Sequence, residues 1–123
     1  MKYNFERLEV YQLSIQLIKL SYKIAAKLPR HEDFVLKQQL LRAITSIALN
    51  IAEGSGRKKR KEFCRYIRIS IGSLQESVAI FKILLDLEEI DQVDFDKVNQ
   101  IFEKLYFKLV KLEKSIKETA QAV

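Results

Sequence analysis

One proline and three glycines in 123 residues leave few places at which a helix can end. Apolar residues meanwhile recur at spacings of three and four from one end of the chain to the other. A chain so poor in breakers and so regular in period is predicted to be all-α. Its length suits a single domain, residues 1–123, and a chain of this size buries well over half of its unfolded surface, enough for a core without crosslinks. Cys64 is the only cysteine, so no intrachain disulfide can form, and that usage fits a reducing, cytoplasmic location. The amino terminus reaches an acid by Glu6 and carries no long apolar region, which argues against a signal peptide. No apolar run approaches the roughly 20 residues of a membrane span.

Four helices are expected. The first covers about 5–28, with Leu13, Leu17, Leu20, Ile24 and Leu28 as one stripe and Leu8, Tyr11, Ile15, Ile18, Tyr22 and Ala25 as a second; Pro29 stops it. The second follows the polar turn Pro29, Arg30, His31, Glu32 and runs to about 53, with Leu36, Leu40, Ile44, Ile47 and Ile51 as its core stripe. Leu41, Ala48, Leu49 and Ala52 point elsewhere, so that from Ile44 to Ala52 most directions around the axis are apolar. Such a helix is buried on more than one side, and self-association supplies the second partner surface. The third starts near 59–62 and continues to about 88, with Phe63, Ile67, Leu74, Phe81 and Leu85 in the core. Ser70, Ser73 and Ser77 form a small-residue strip for close helix approach, and Gly72 beside it is either a point of close backbone packing or a tolerated flaw. The fourth starts near Asp94, read as its N-cap, and runs to about 118. Val98, Phe102, Leu105, Leu109, Leu112 and Ile116 alternate spacings of four and three, the seam of bundle packing, and Lys104, Lys108, Lys111 and Lys114 alternate with Glu103 and Glu113 as a solvated face. Three short connections make consecutive helices antiparallel, giving an up-down-up-down four-helix bundle.

The basic balance is written in one place. The formal net charge is +6, and residues 57–68 carry seven basic side chains against the single acid Glu62, so the remaining 111 residues are neutral, with fifteen basic and fifteen acidic. Phosphate binding is the functional reading: Arg57, Lys58, Lys59, Arg60, Lys61, Arg65 and Arg68 offer point charges and fork-like donors beside free amides at the start of the third helix. A solvated loop is the plain alternative. Tyr66 either stacks on an exposed base or packs against a neighbour.

Other candidate chemistry is weaker. Gly54 and Gly56 have neither the preceding strand nor the further glycine of a nucleotide-binding loop, and they read as a helix stop, with Gly54 in a left-handed position after Glu53. Asn50 and Glu53 are expected to be buried and to satisfy backbone or arginine donors, with Arg42, Arg57 and Arg68 as candidate partners. A catalytic carboxylate needs a second acid, base or metal ligand nearby, and none is apparent around Glu53, so no enzyme activity, metal or cofactor is expected. His31 lies in a polar turn and reads as a surface residue. Cys64, flanked by cations, is either a thiol of lowered pKa or a buried inert one.

The run Ser46 to Arg57, SIALNIAEGSGR, resembles a four-helix-bundle family first noticed as products of intervening sequences in bacterial large-subunit ribosomal RNA genes. That family also includes the accessory variability determinants of diversity-generating retroelements. Leu8, Val10 and Tyr11, Leu28 with Pro29, the run from Gln38 to Ala43, Glu62 with Phe63, and Gly72, Ser73 and Glu76 also fit, so the resemblance covers roughly residues 5–90, with NIAEG followed by GR its most specific part. It implies an antiparallel bundle assembled as a ring, typically a homopentamer, with a positive surface suited to RNA or DNA and without catalysis. The retroelement branch implies an alternative role as an adaptor that recruits a partner such as a reverse transcriptase. Relatives carry serine or threonine near position 59, a cap that pairs with the acid at 62. Lys59 stands there in this chain, and cations at a helix N-terminus oppose the macrodipole by about 0.3 to 1 kcal/mol each. A bound anion reverses that sign. The expectation is a non-catalytic homo-oligomer that binds nucleic acid with little sequence specificity through the basic patch at the start of the third helix.

Overall fold

The computed structural model describes residues 3–122, with side chains through residue 119. Among the described residues it contains four α-helices and no strand: α1 (Glu9–Ala25), α2 (Leu36–Ser55), α3 (Arg60–Asp86) and α4 (Gln92–Ala122), with short 3-10 segments at Asn4–Arg7 and Arg30–Glu32. None of the helices is long and apolar enough to cross a membrane.

Pairs of residues across the helix seams set the directions. Between α2 and α3 the Ser46 and Ser73 hydroxyls meet at 3.0 Å, and Ser70 Oγ donates to the Ile47 carbonyl at 2.9 Å. Between α3 and α4, Arg68 reaches Glu113, and Phe81 stands edge-on to Phe102 with ring centroids 5.8 Å apart. Between α1 and α4, Glu9 pairs with Lys108 and Lys27 with Asp94. In each seam the residue number rises on one helix as it falls on the other, so the neighbours are antiparallel. α1 closes onto α4, while the diagonal pairs α1 with α3 and α2 with α4 make no backbone contact, which is the up-down-up-down bundle.

The apolar stripes meet on the bundle axis. Leu17, Ile24, Leu40, Ile44, Ile47, Ile51, Ile67, Phe81, Leu84, Val98, Leu105 and Leu109 are sealed from solvent. Each such side chain contributes about 1.5 to 3 kcal/mol relative to exposure. Leu20 and Leu36 are only half-buried, at the edge of the stripes. Ser70 and Ser77 are fully buried, so the small-residue strip does bring α3 close to α2. Gly72 lies off that contact, because a Cβ built on it meets nothing within 4 Å. In the single chain it is therefore a flaw in the helix rather than a packing site.

The helix ends depart from expectation in three places. Leu8 is extended, at φ −75° and ψ 127°, so the first helix begins at Glu9 instead of near 5, and it ends at Ala25, a turn before Pro29. Proline disfavours the helical region in the residue before it, which pulls the end back from Leu28. At α4 the cap is Asp91, not Asp94: the Asp94 amide donates to Asp91 Oδ1 at 2.7 Å, and Asp94 itself faces Lys27 at 2.6 Å. Asp91→Ala is expected to cost about 1 kcal/mol in urea unfolding and Asp94→Ala less, since only the first removes a partner from the orphan amides. α3 ends without glycine, at Glu88 with φ 60°, and the amides of Glu88 and Glu89 return to the carbonyls of Leu85 and Leu84 at 3.0 and 2.9 Å.

That reversal carries Glu89 to the α1–α2 connection, where His31 Nε2 lies 2.6 Å from Glu89 Oε1. His31 is thus more than a solvated surface residue. Glu32 beside it is buried, and its carboxyl is pushed above the ordinary range, first by its hydrogen bond with Glu89 and then by burial. On Glu89 burial acts upward and is the largest influence, but hydrogen bonds from Glu32 and His31 outweigh it and hold this carboxyl below its ordinary range. The two carboxyls therefore act on each other and titrate as a pair.

Candidate nucleic-acid interface

The turn from α2 to α3 is built on a close approach between helices. Gly54 lies inside α2, is buried, and has no positive φ; the helix ends two residues later at Gly56, whose φ of −86° and ψ of −3° are right-handed. Gly54 is therefore not the left-handed cap the sequence predicts. A Cβ at this position would lie 2.6 Å from Tyr66 Cβ, closer than real Cβ atoms come, and a tight 3.1 Å from Phe63 Cδ1. Glycine is needed so that the first turns of α3 can lie against the end of α2.

That contact positions Tyr66, and Tyr66 in turn holds two arginines. Arg57 Nη2 donates to Tyr66 Oη at 2.8 Å with its guanidinium 5.0 Å from the ring centroid, and the Arg65 guanidinium sits 5.5 Å from the same centroid. The half-buried ring thus packs against neighbours, the second of the two readings its sequence position allows. Arg57 also binds the Glu53 carboxylate. Glu53 is exposed, not buried, because it lies on the side of α2 away from the core. Asn50 turns back on its own helix, donating from Nδ2 to the Ser46 carbonyl at 2.8 Å and to Ser46 Oγ at 2.9 Å, and takes no arginine. Arg68 binds Glu113 at 2.9 Å instead of Asn50 or Glu53, and Arg42 pairs with neither among the described residues. Tyr66 first and then Glu53 raise the Arg57 pKa, and the Glu113 hydrogen bond raises that of Arg68. Both groups are cationic in any case, so the consequence is anchoring.

The remaining cations are unengaged. Lys58, Lys59, Arg60 and Lys61 are exposed and have no acid partner among the described residues. Lys59 is extended at the N-cap position of α3, at φ −89° and ψ 129°, and makes no side-chain cap bond. The first amides of α3, on Arg60 and Lys61, are left open toward solvent on the side where these cations gather.

A groove continues the patch. α1 begins opposite Lys108 of α4, and α4 runs on past that level, so its last turns and the first turns of α3 face each other without a third helix over them. The resulting cleft, of about 550 Å³, is lined by Arg60, Lys61, Cys64, Arg65, Arg68, Ile116 and Lys117. Cys64 and Ile116 form its apolar floor and five cations its rim. Cys64 is a buried thiol. Lys117 escapes sequence reading because it continues the lysine-rich face of the fourth helix; its one signal is its place next to the core residue Ile116. Glu113, which binds Arg68 and lies 3.9 Å from Lys117, is the one acid at this wall among the described pairs.

Residues 6–111 match the family described as 23S rRNA-intervening sequence protein. The chain belongs to this family. The resemblance carried by SIALNIAEGSGR thus extends over most of the chain, across the first three helices and into α4. Among solved structures, a protein with unknown function from the S23 ribosomal protein family of Bacteroides thetaiotaomicron VPI-5482 matches with a TM-score of 0.80 and 23% identity. The match covers 85% of this chain and 98% of that one, and at this identity it shows the fold. No curated protein matches the chain.

Proposed function

We propose that this chain is a non-catalytic, homo-oligomeric protein that binds nucleic acid, RNA or DNA, through the α2–α3 turn and the groove beside it. One observation carries the reading: Lys58, Lys59, Arg60 and Lys61 have no acid partner among the described residues and stand at an uncapped helix N-terminus, where folding alone disfavours positive charge. Phosphate oxygens satisfy both the side chains and the open amides. Arg65, Arg68 and Lys117 extend the contact along the groove, and Arg57, locked to Tyr66 and Glu53, holds the turn in shape. Lysine and arginine around an apolar floor recognise phosphate, not base edges, so discrimination between sequences is weak.

Self-association is supported by apolar side chains that a single bundle leaves in water. Leu49 on α2 is 66% exposed and Phe107 on α4 67%, with Ile69, Ile83 and Val110 also exposed. Burial of these positions between copies, in a closed ring such as a homopentamer, repeats the basic patch and raises avidity without new contacts. Light scattering at micromolar concentration should give a multiple of the 14.4 kDa chain mass.

Ultraviolet crosslinking of a bound oligonucleotide, followed by peptide mass spectrometry, locates the surface. Adducts are expected on peptides spanning 57–68 and on the peptide holding Lys117. Adducts confined to other faces of the bundle would remove this assignment.

A further inference from the structure

At the opposite end of the bundle, we infer that His31, Glu32 and Glu89 form a binding site for one divalent transition-metal ion, with zinc the natural probe. The imidazole and the two carboxylates come from the α1–α2 and α3–α4 connections, 58 residues apart in sequence, and one donor atom from each lies within 4.8 Å of the others. His31 Nε2 is 2.6 Å from Glu89 Oε1 and 3.9 Å from Glu32 Oε2. Three ligands at about 2.0 to 2.2 Å from a tetrahedral ion stand roughly 3.4 Å from one another. One of these distances therefore opens and the other closes by less than about an ångström, within reach of side-chain rotation.

Two further observations point to a cation. Glu89 Oε2 is sealed from solvent without a hydrogen-bond partner among the described residues, and the Glu32 side chain is 6% exposed. Neither acid pairs with a lysine or arginine among the described residues, since the adjacent Lys27 is taken by Asp94 at 2.6 Å. Buried carboxylates are ordinarily answered by a charge partner or a metal. One nitrogen and two oxygen donors suit zinc, cobalt or manganese better than magnesium or calcium, which favour oxygen alone. The ion ties the two connections together and fixes the end of the bundle remote from the basic groove.

Calorimetric titration of the full chain, stripped with chelator and held in a non-coordinating buffer, tests the site with zinc chloride alone. One ion per chain is expected, with a dissociation constant of roughly 10 μM or tighter and a melting temperature that rises with zinc concentration. His31→Ala is the decisive variant, because this side chain is 68% exposed and its loss leaves the core intact. It should weaken binding at least tenfold, as should Glu89→Gln. Wild-type affinity weaker than about 100 μM, or equal affinity in wild type and His31→Ala, overturns the inference.

Discussion

Replacing Lys58, Lys59, Arg60 and Lys61 together by glutamate is expected to lower affinity for a short single-stranded RNA or DNA by more than 100-fold while leaving thermal stability equal or higher. The four side chains are exposed and make no acid pair among the described residues, so no fold contact is lost. Their substitution places acids in the first turn of α3, where the macrodipole favours negative charge by about 0.3 to 1 kcal/mol per exposed group. Binding changes the other way. Each lost charge-assisted contact to phosphate removes on the order of 1 kcal/mol, and each new carboxylate repels the backbone. The opposite signs separate a binding surface from a solvated loop. Unchanged affinity in the variant identifies the run as a solubilising turn.

The second expectation sets one glycine against another. Gly54→Ala should destabilise the protein by about 1 to 3 kcal/mol, although alanine is the better helix former. The new methyl group lies 2.6 Å from Tyr66 Cβ, an atom fixed to the α3 backbone that no rotamer can move, and Phe63 closes the other side at 3.1 Å. The end of α2 and the start of α3 must part to admit it. Because Tyr66 holds Arg57 and Arg65, that separation also disturbs the basic surface, and affinity for nucleic acid should fall with stability. Gly72→Ala, with open space around its Cβ, should instead raise stability by about 0.5 to 1 kcal/mol through helix propensity. Chemical denaturation of the two variants checks both signs. Two losses of similar size contradict the assignment of Gly54 as the close-approach position.

The contrast between these glycines shows how far local pattern reaches. Helix number, order and most of the buried stripe follow from apolar spacing, since Leu17, Ile44, Ile67 and Leu105 must share a face of their own helix whatever lies opposite. What a residue touches on another helix is not written in its neighbours. Gly54 near a helix end reads as a cap because caps are local; its real constraint is Tyr66 on the next helix. Gly72 beside the serine strip reads as a packing glycine, yet it is turned about half a circle from Ser70 and faces solvent. Asp91 and Asp94 both fit the start of α4, and only the backbone path separates cap from first-turn acid. His31 was ordinary by sequence because Glu89 reaches it through a left-handed Glu88 that no glycine announces. The candidate surface was legible as charge, since lysine and arginine at 57–61 need no partner to be noticed. Its groove was not, because Lys117 joins it only through the antiparallel pairing of α3 with α4.

Phosphate recognition at this end of the bundle is tested most directly by the salt dependence of affinity for a single-stranded oligonucleotide short enough to occupy one patch. With four or five phosphates neutralised, log K should fall against log salt with a slope of about −3, roughly a 60-fold loss between 50 and 200 mM. A slope near zero over that range contradicts phosphate binding by this surface.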